Sequence, residues 1–296
     1  MPEHFVAPPR WEWYIVWYFF LGGIAGGTYA VGALLRLVGG ARDEGLARLA
    51  FLLSFPALVV CPILLTLDLG RPARFWHMLI DARTGIPTLK YWSPMSMGAW
   101  TLLIFGIFSA WSFVEALVLD GRLRQPLARR VASALRGGFG RLVMIVGACF
   151  GLFIAGYTGV LLAVSNQPVW SDTWTLGGLF LASALSTAVA VIGLGAWYRG
   201  DAPGSAPKLA AADRHFLVLE LVLLALFFVT LGPLAARMVR GGWAGLWLVV
   251  LIGTLLPLGL SFRRASESRL VPALASLLVL IGSFALRAVV VLAAQS

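Results

Sequence analysis

A few polar side chains interrupt a sequence that is otherwise mostly apolar. They are Tyr18, Asp68, Arg71, Tyr157 and Arg287. A phenol can donate a hydrogen bond to a carbonyl oxygen, a carboxylate can accept a proton, and a guanidinium binds carboxylates, carbonyls or anionic ligands. Ionisable residues within long apolar segments are rare, and they point to functional sites. We therefore take these five residues as the first candidate site.

Three further residues could exchange protons. His77 follows Asp68 in a polar stretch, and both are candidates to exchange protons with a ligand. Glu220 lies inside an apolar stretch with no basic residue at helical spacing, as expected for a proton-relay group. Glu115 lies nearer the end of its stretch, so it is either a second relay group or a side chain that reaches water.

Purely structural interpretations compete with each of these roles. Asp68 precedes Arg71 by three residues, and the two could form an ion pair at the membrane edge. Arg287 needs a buried partner, and Asp68 at similar depth is the partner that we favour. Tyr157 could belong to an aromatic belt, although it lies two turns inside the boundary of its segment.

The amino-acid composition of the chain indicates the environment in which these residues lie. Hydrophobic residues make up 60% of the 296, charged residues only 12%, and the mean hydropathy is +0.89. A soluble domain is nearer one-quarter charged, so this composition predicts an integral membrane protein. Apolar runs of about 20 residues indicate helices rather than the alternating strands of a barrel.

The charge, cysteine and histidine content excludes several classes. The net charge of +10 fits basic cytoplasmic loops, and no nucleic-acid-binding motif accompanies it. Cys61 and Cys149 stand alone in apolar runs, so we expect no iron–sulfur or zinc site in this chain. The three histidines do not supply two ligands inside the membrane, which excludes a bis-histidine haem.

Eight spans are predicted, at residues 13–38, 46–69, 94–119, 139–164, 174–197, 215–236, 243–262 and 270–293. One side carries fifteen Lys and Arg and the other seven, which places the fifteen in the cytoplasm. Both termini and the loop 70–93 then face outward. Residues 201–208 are the best linker candidate. The pairs Gly22 and Gly26, Gly23 and Gly27, and Gly147 and Gly151 predict close helix packing, and Pro56, Pro62, Pro233 and Pro257 predict kinks.

Several segments, in this order, resemble the NrfD family of polysulfide reductase membrane subunits. They are WYIVWYFFLGGIAGG at 13–27, DLGRPARFW at 68–76, SPMSMGAW at 93–100, GYTGVLLAV at 156–164, LASALS at 181–186 and FALRAVVV at 284–291. The resemblance implies two four-helix bundles, residues 1–164 with a quinone site and residues 165–296. Tyr157 matches the family tyrosine associated with the quinone carbonyl. Tyr18 stands where some members carry a histidine, a departure that affects the quinone contacts.

The resemblance also implies partners and location. A ferredoxin-like iron–sulfur subunit and a molybdopterin catalytic subunit would join this chain in a prokaryotic inner membrane. The resulting hypothesis is a quinone-reactive anchor of a respiratory complex that uses menaquinone or ubiquinone. In it, Tyr18, Arg71, Tyr157 and Arg287 bind quinone, and Asp68, His77 and Tyr157 act in catalysis. Glu220 and Glu115 would form a proton path from the cytoplasm. A secondary transporter and a passive anchor without quinone stay as alternatives.

Overall fold

Helices dominate the protein in a computed structural model that describes residues 10–135, 137–200, 206–262 and 270–295. In this part of the chain, eight helices are long and apolar enough to cross a membrane. The prediction of an all-α, multi-pass membrane protein is confirmed. The helices are α1 (Trp13–Val38), α2 (Glu44–Asp68), α3 (Pro94–Leu119), α4 (Pro126–Ala134), α5 (Gly138–Ala163), α6 (Leu176–Arg199), α7 (Ala206–Leu231), α8 (Ala235–Met238), α9 (Trp243–Ser261) and α10 (Leu270–Ala293).

The predicted boundaries fail at α7. This helix begins at 206 and not at 215, because apolar content marks only the part of a helix that lies in lipid and misses the first nine residues, which include Lys208, Asp213 and Arg214. The linker predicted at 201–208 therefore ends in helix, while 201–205 lie outside the described residues. Pro233 lies in a 3₁₀ turn, Gly232–Leu234, which interrupts the span Pro207–Met238 between α7 and α8, as expected for a proline inside a span.

The short helix α4 was not predicted. Pro126 starts it, and Ala128 and Ala132 bury one face at a spacing of four residues. The indole nitrogen of Trp111 on α3 donates a hydrogen bond to the carbonyl of Val131 and holds α4 against the membrane helices.

Helix α1 lies at the centre and packs against α2, α5, α6 and α10. Its glycines allow this, because a Cβ on Gly26 would collide with the backbone of Gly151 on α5. On the opposite side, Gly23 and Gly27 lie against Ala184 of α6. The close packing predicted from these glycines is confirmed. The division into two four-helix bundles stays a prediction, since α1 contacts helices assigned to both.

Trp11 and Gln295, near the two limits of the described residues, meet beside α1. The backbone of Trp11 exchanges two 2.8 Å hydrogen bonds with the side-chain amide of Gln295. The Trp11 ring stacks on Trp170, whose indole nitrogen donates to the carbonyl of Val290 on α10. These contacts fix Trp11 at one end of the molecule.

All the ion pairs in the described part of the chain lie at the other end, which we call the basic end. It is formed by the C-termini of α1, α3 and α6 and the N-termini of α2 and α7. Arg48, Arg122 and Arg199 gather around Asp120, and Lys208 contacts Asp43 at 2.6 Å. The ion pairs tie five helix ends together at the surface that carries most of the basic residues.

Candidate ligand cavity

An apolar cavity of about 570 Å³ lies between α1, α2, α3 and α5, at the end opposite the basic end. Its volume falls in the usual range for small-molecule sites. Tyr18, Asp68 and Tyr157 supply most of its polar atoms, and aliphatic and aromatic side chains supply most of the remaining wall. Phe75, Met78 and Leu79 from the loop after α2 close its outer end.

Tyr157 is positioned by α3. Its hydroxyl donates a 2.5 Å hydrogen bond to the carbonyl of Pro94, and its ring stacks on Phe153. Gly98, one turn further along α3, leaves the space for the ring, because a Cβ there would overlap the phenol. The start of α3 is fixed by Pro94 at its first position and by Ser93, whose hydroxyl accepts from the Ser96 amide. The capped helix end therefore presents a carbonyl to the phenol.

Tyr18 is 2% exposed and lines the cavity from α1. It interacts electrostatically with Tyr157 and Cys61, so the two phenols lie near each other. Among the described residues, its hydroxyl has no hydrogen-bond partner. An unpaired hydroxyl facing an apolar cavity is available to a ligand that carries a hydrogen-bonding atom.

Asp68 lies at the outer end of the cavity, where α2 ends. Its charged neighbour is Glu12, just before α1. No ion pair joins Asp68 to Arg71 or Arg287 in the part of the chain that is described, so both predicted pairs are wrong. The rim instead carries two carboxylates, and sequence spacing cannot reveal a neighbour that lies 56 positions away.

The cavity opens sideways between α2 and α3. Its lining there includes Val59, Leu103 and Ile107, which are between 43% and 60% exposed on the outer surface of the helices. In a multi-pass membrane protein, such apolar surfaces face lipid. The site is therefore accessible from the bilayer.

Arg71 and His77 lie beside the cavity but do not line it. Arg71 is exposed in the turn after α2, and its carbonyl accepts from the Arg74 amide. His77 packs edge-on against Trp76 with ring centroids 3.9 Å apart. The cavity is lined instead by Phe75 and Met78 from the same 3₁₀ turn, Pro72–Met78.

Arg287 is fully buried on the far side of α1 from the cavity. It donates hydrogen bonds to the carbonyls of Phe19 and Ser283 and to the hydroxyls of Ser183 and Ser283. Its guanidinium also lies over the rings of Phe20 and Phe180. The structure therefore corrects our placement of Arg287 among residues that converge on the ligand, since Phe19 separates it from the cavity.

Glu220 belongs to the same buried polar cluster as Arg287. The hydroxyl of Ser186 donates to its carboxylate at 3.0 Å, and Arg287 interacts with it electrostatically. Ser183, Thr187 and Ser283 connect the two charges through short hydroxyl contacts. The sequence suggested that Glu220 was alone, because its partners come from α6 and α10.

Glu115 has a cationic partner. The guanidinium of Arg36 contacts Glu115 at 2.5 Å and Glu44 at 2.6 Å. The side chain of Glu115 is 11% exposed, so it does not simply extend into water.

Comparison with known proteins identifies the family. A model of the family described as "Polysulphide reductase, NrfD" matches residues 3–296. The chain belongs to the NrfD family. Its resemblance to that family, deduced from segments along the sequence, is therefore confirmed over almost the whole chain.

Individual relatives of this NrfD-family protein are distant, but three of them span most of its length. One chain of the polysulfide reductase of Wolinella succinogenes is 27% identical over 97% of this protein and 94% of the relative. Protein NrfD of Escherichia coli is 28% identical over 75% of this protein and 71% of the relative. One subunit of the selenate reductase of Mesobacillus selenatarsenatis is 26% identical over 42% of this protein and 26% of the relative.

Sequence reasoning missed much of the cavity in this NrfD-family member. The apolar lining was not identified, because a leucine facing a cavity and one facing lipid look alike in sequence. The hydroxyl cluster around Arg287 had a detectable signal, since Ser183, Ser186 and Thr187 recur at helical spacing. In the sequence, this segment was recognised only for its resemblance to the family and not as a polar cluster.

Proposed function

We propose that this protein is the quinone-reactive membrane subunit of a respiratory redox complex. The observation that best supports this proposal is the apolar cavity, which opens to lipid and is lined by Tyr18 and Tyr157. A quinone combines an apolar ring and tail with two carbonyl oxygens, so these residues fit it. A bound quinone would supply reversible two-electron chemistry, and menaquinone and ubiquinone both have these features.

The protein's own residues would bind and orient the ring. The single hydroxyl proton of Tyr157 would turn from the Pro94 carbonyl to a quinone carbonyl. Pro94 would then keep the intrahelical bond that a first-turn carbonyl accepts. Tyr18 would provide a second donor, and Asp68 would exchange protons at the rim, with His77 beside it.

We assign Arg71 and Arg287 supporting roles in this proposal. Arg71 lies exposed after α2, where it could contact a polar ligand group at the rim or a partner subunit. Arg287 would hold α1, and hence the cavity wall at Phe19, in position. Glu220 and Glu115 would belong to proton paths from the cytoplasmic side, which would couple quinone chemistry to proton translocation.

The electron partner would dock on the loop 70–93. Phe75, Met78 and Leu79 of this loop both close the cavity and lie at the surface end of the molecule. A ferredoxin-like iron–sulfur subunit seated there would be adjacent to bound quinone, and a molybdopterin subunit would complete the complex. Two relatives are named as parts of a polysulfide reductase and a selenate reductase, which supports membership in an enzyme of several subunits. In this proposal, the loop and both termini would lie outside a prokaryotic inner membrane.

The test is purification of the intact complex, followed by identification of its subunits and its extracted quinone. Turnover with decylubiquinone and menadione is then compared in wild type, Tyr157→Phe and Tyr14→Phe. Tyr14 is 45% exposed on α1 and does not line the cavity, so it is the matched control. We expect Tyr157→Phe to assemble but to lose most quinone-linked turnover. Unchanged turnover would refute the role of Tyr157, and a complex that neither holds nor reduces quinone would be a passive anchor.

A further inference from the structure

A line of buried polar groups on α3 leads from the basic end toward the cavity. Ser109, Ser112 and Glu115 follow one another at three-residue spacing and share a helix face. Each meets a polar group of another helix. Glu115 contacts Arg36, Ser112 lies 2.9 Å from the Tyr29 hydroxyl, and Ser109 lies 3.2 Å from the Ser54 hydroxyl.

The basic end of this line has a solvent-connected acid group. Arg36 binds both Glu44 and Glu115, so one guanidinium joins an exposed carboxylate to a buried one. The Glu44 side chain is 38% exposed against 11% for Glu115, so Glu44 reaches solvent while Glu115 points inward.

The opposite end of the line borders the cavity. Ser54 and Ser109 immediately precede Phe55 and Ala110, which line the cavity. Gly106, one turn before Ser109, lines it as well. The two serines thus lie in turns of α2 and α3 that contribute to the cavity wall.

The chemistry of the line suits proton movement. A hydroxyl both accepts and donates a proton, unlike a carbonyl or a guanidinium. Consecutive positions on α3 are separated by about 4.5 Å along the axis, a step that one water molecule would bridge. Tyr29 packs against Phe51, Phe105 and Gly147, which hold its ring in place.

We propose that Glu115, Ser112, Tyr29, Ser109 and Ser54 form a hydroxyl ladder that carries protons between the basic end and the cavity. This inference rests on the proposed quinone function. Reduction of a quinone to a quinol takes two electrons, here from the iron–sulfur partner, and two protons, here from the ladder. Oxidation releases two electrons to that partner and two protons to the ladder.

The Glu220 cluster has a different connection. It reaches α1 through Arg287 and the carbonyl of Phe19, and neither a permanently charged guanidinium nor a carbonyl releases a proton readily. Glu220 and Glu115 are the two acidic residues proposed for proton paths. Of these, Glu115 is the one with a series of hydroxyl side chains between it and the cavity.

The test uses the whole complex in liposomes with a trapped pH-sensitive dye. Tyr29→Phe, Ser109→Ala and Glu115→Gln are compared with Thr254→Val, which removes a buried hydroxyl from α9 far from the ladder. Turnover with decylubiquinone and menadione, proton movement across the membrane and retained quinone are measured. We expect proton uptake and turnover to fall about tenfold or more in the ladder variants, with quinone retention unchanged. Thr254→Val keeps wild-type rates.

A second measurement separates proton transfer from a structural role. Glu115→Asp keeps a carboxylate and is expected to recover most of the activity lost in Glu115→Gln, whereas the thermal midpoints of both variants stay alike. Wild-type turnover in Tyr29→Phe and Glu115→Gln would overturn the ladder while leaving the quinone site intact. Failure of wild type to bind or turn over either quinone would instead overturn the proposed function.

Discussion

Arg287 binds the backbone of Phe19 from the side of α1 that faces away from the cavity. The guanidinium donates a 3.2 Å hydrogen bond to the Phe19 carbonyl, and Phe19 lines the cavity on the other side. A buried polar cluster formed by α6, α7 and α10 is therefore joined mechanically to the cavity between α1, α2, α3 and α5.

Substitution of Tyr18 by Phe tests the unpaired hydroxyl in the cavity. No described residue loses a hydrogen bond, so we expect the thermal midpoint to stay unchanged. Affinity for a quinone analogue should fall by about 0.5–1.5 kcal/mol, or roughly two- to tenfold in Kd. Binding titration of the purified complex measures this, with Tyr14→Phe as the control. Equal affinity in both variants would show that Tyr18 does not bond the ligand.

Substitution of Gly98 by Ala tests the positioning of Tyr157. The added methyl group overlaps the phenol, so the ring must move and its bond to Pro94 must lengthen. We expect a loss of about 1–3 kcal/mol of stability together with reduced quinone turnover. Gly259→Ala in α9 is the control, since a Cβ there meets open space. Wild-type turnover in Gly98→Ala would mean that the position of the phenol is not critical.

The packing of α1 against α5 depends on Gly26. Valine at this position would force α1 away from Gly151, and we expect the protein to fail to accumulate in membranes. Gly245→Ala, which adds a methyl group in open space on α9, should accumulate normally. Immunoblots of membrane fractions measure both variants. Normal levels of Gly26→Val would contradict the close approach.

Arg287 and Glu220 should be coupled energetically. Arg287→Met leaves Glu220 without its cation, and we expect a loss of about 3–5 kcal/mol. Combining it with Glu220→Met removes the orphaned charge, so the double variant should be more stable than Arg287→Met alone. Thermal unfolding in detergent measures the cycle. As a control, Arg287→Met is combined with Asp81→Asn in an exposed loop, and the two changes in stability should add. If the changes also add for Arg287→Met and Glu220→Met, the coupling is refuted.

The sequence specified the helices better than the contacts between them. The eight spans follow from apolar length, and glycine spacing at Gly26 correctly predicted close packing. The partners of Arg287 did not follow, because similar depth suggested Asp68, whereas Nη1 of the guanidinium donates to serine hydroxyls of α6 and α10. Serines in a helix give a weak signal, since most of them bond only to their own backbone.

The residues that line the cavity could also be predicted only in part from the sequence. Tyr18, Asp68 and Tyr157 were expected to lie together and do line one cavity. Arg71 and His77 were selected because they belong to a polar run near Asp68. Proximity in sequence does not determine which side of a 3₁₀ turn faces inward, and Phe75 and Met78 occupy that side.

The gap between α2 and α3 determines whether the concentration of a ligand in the membrane or in water governs its binding. Because Val59, Leu103 and Ile107 lead from the cavity to the outer surface of the helices, a ligand that enters there would exchange by diffusion in two dimensions. Its occupancy would then depend on its mole fraction among the lipids and not on its concentration in water. Diluting the membranes with added phospholipid should therefore slow turnover at constant amounts of protein and quinone, whereas diluting the buffer should not.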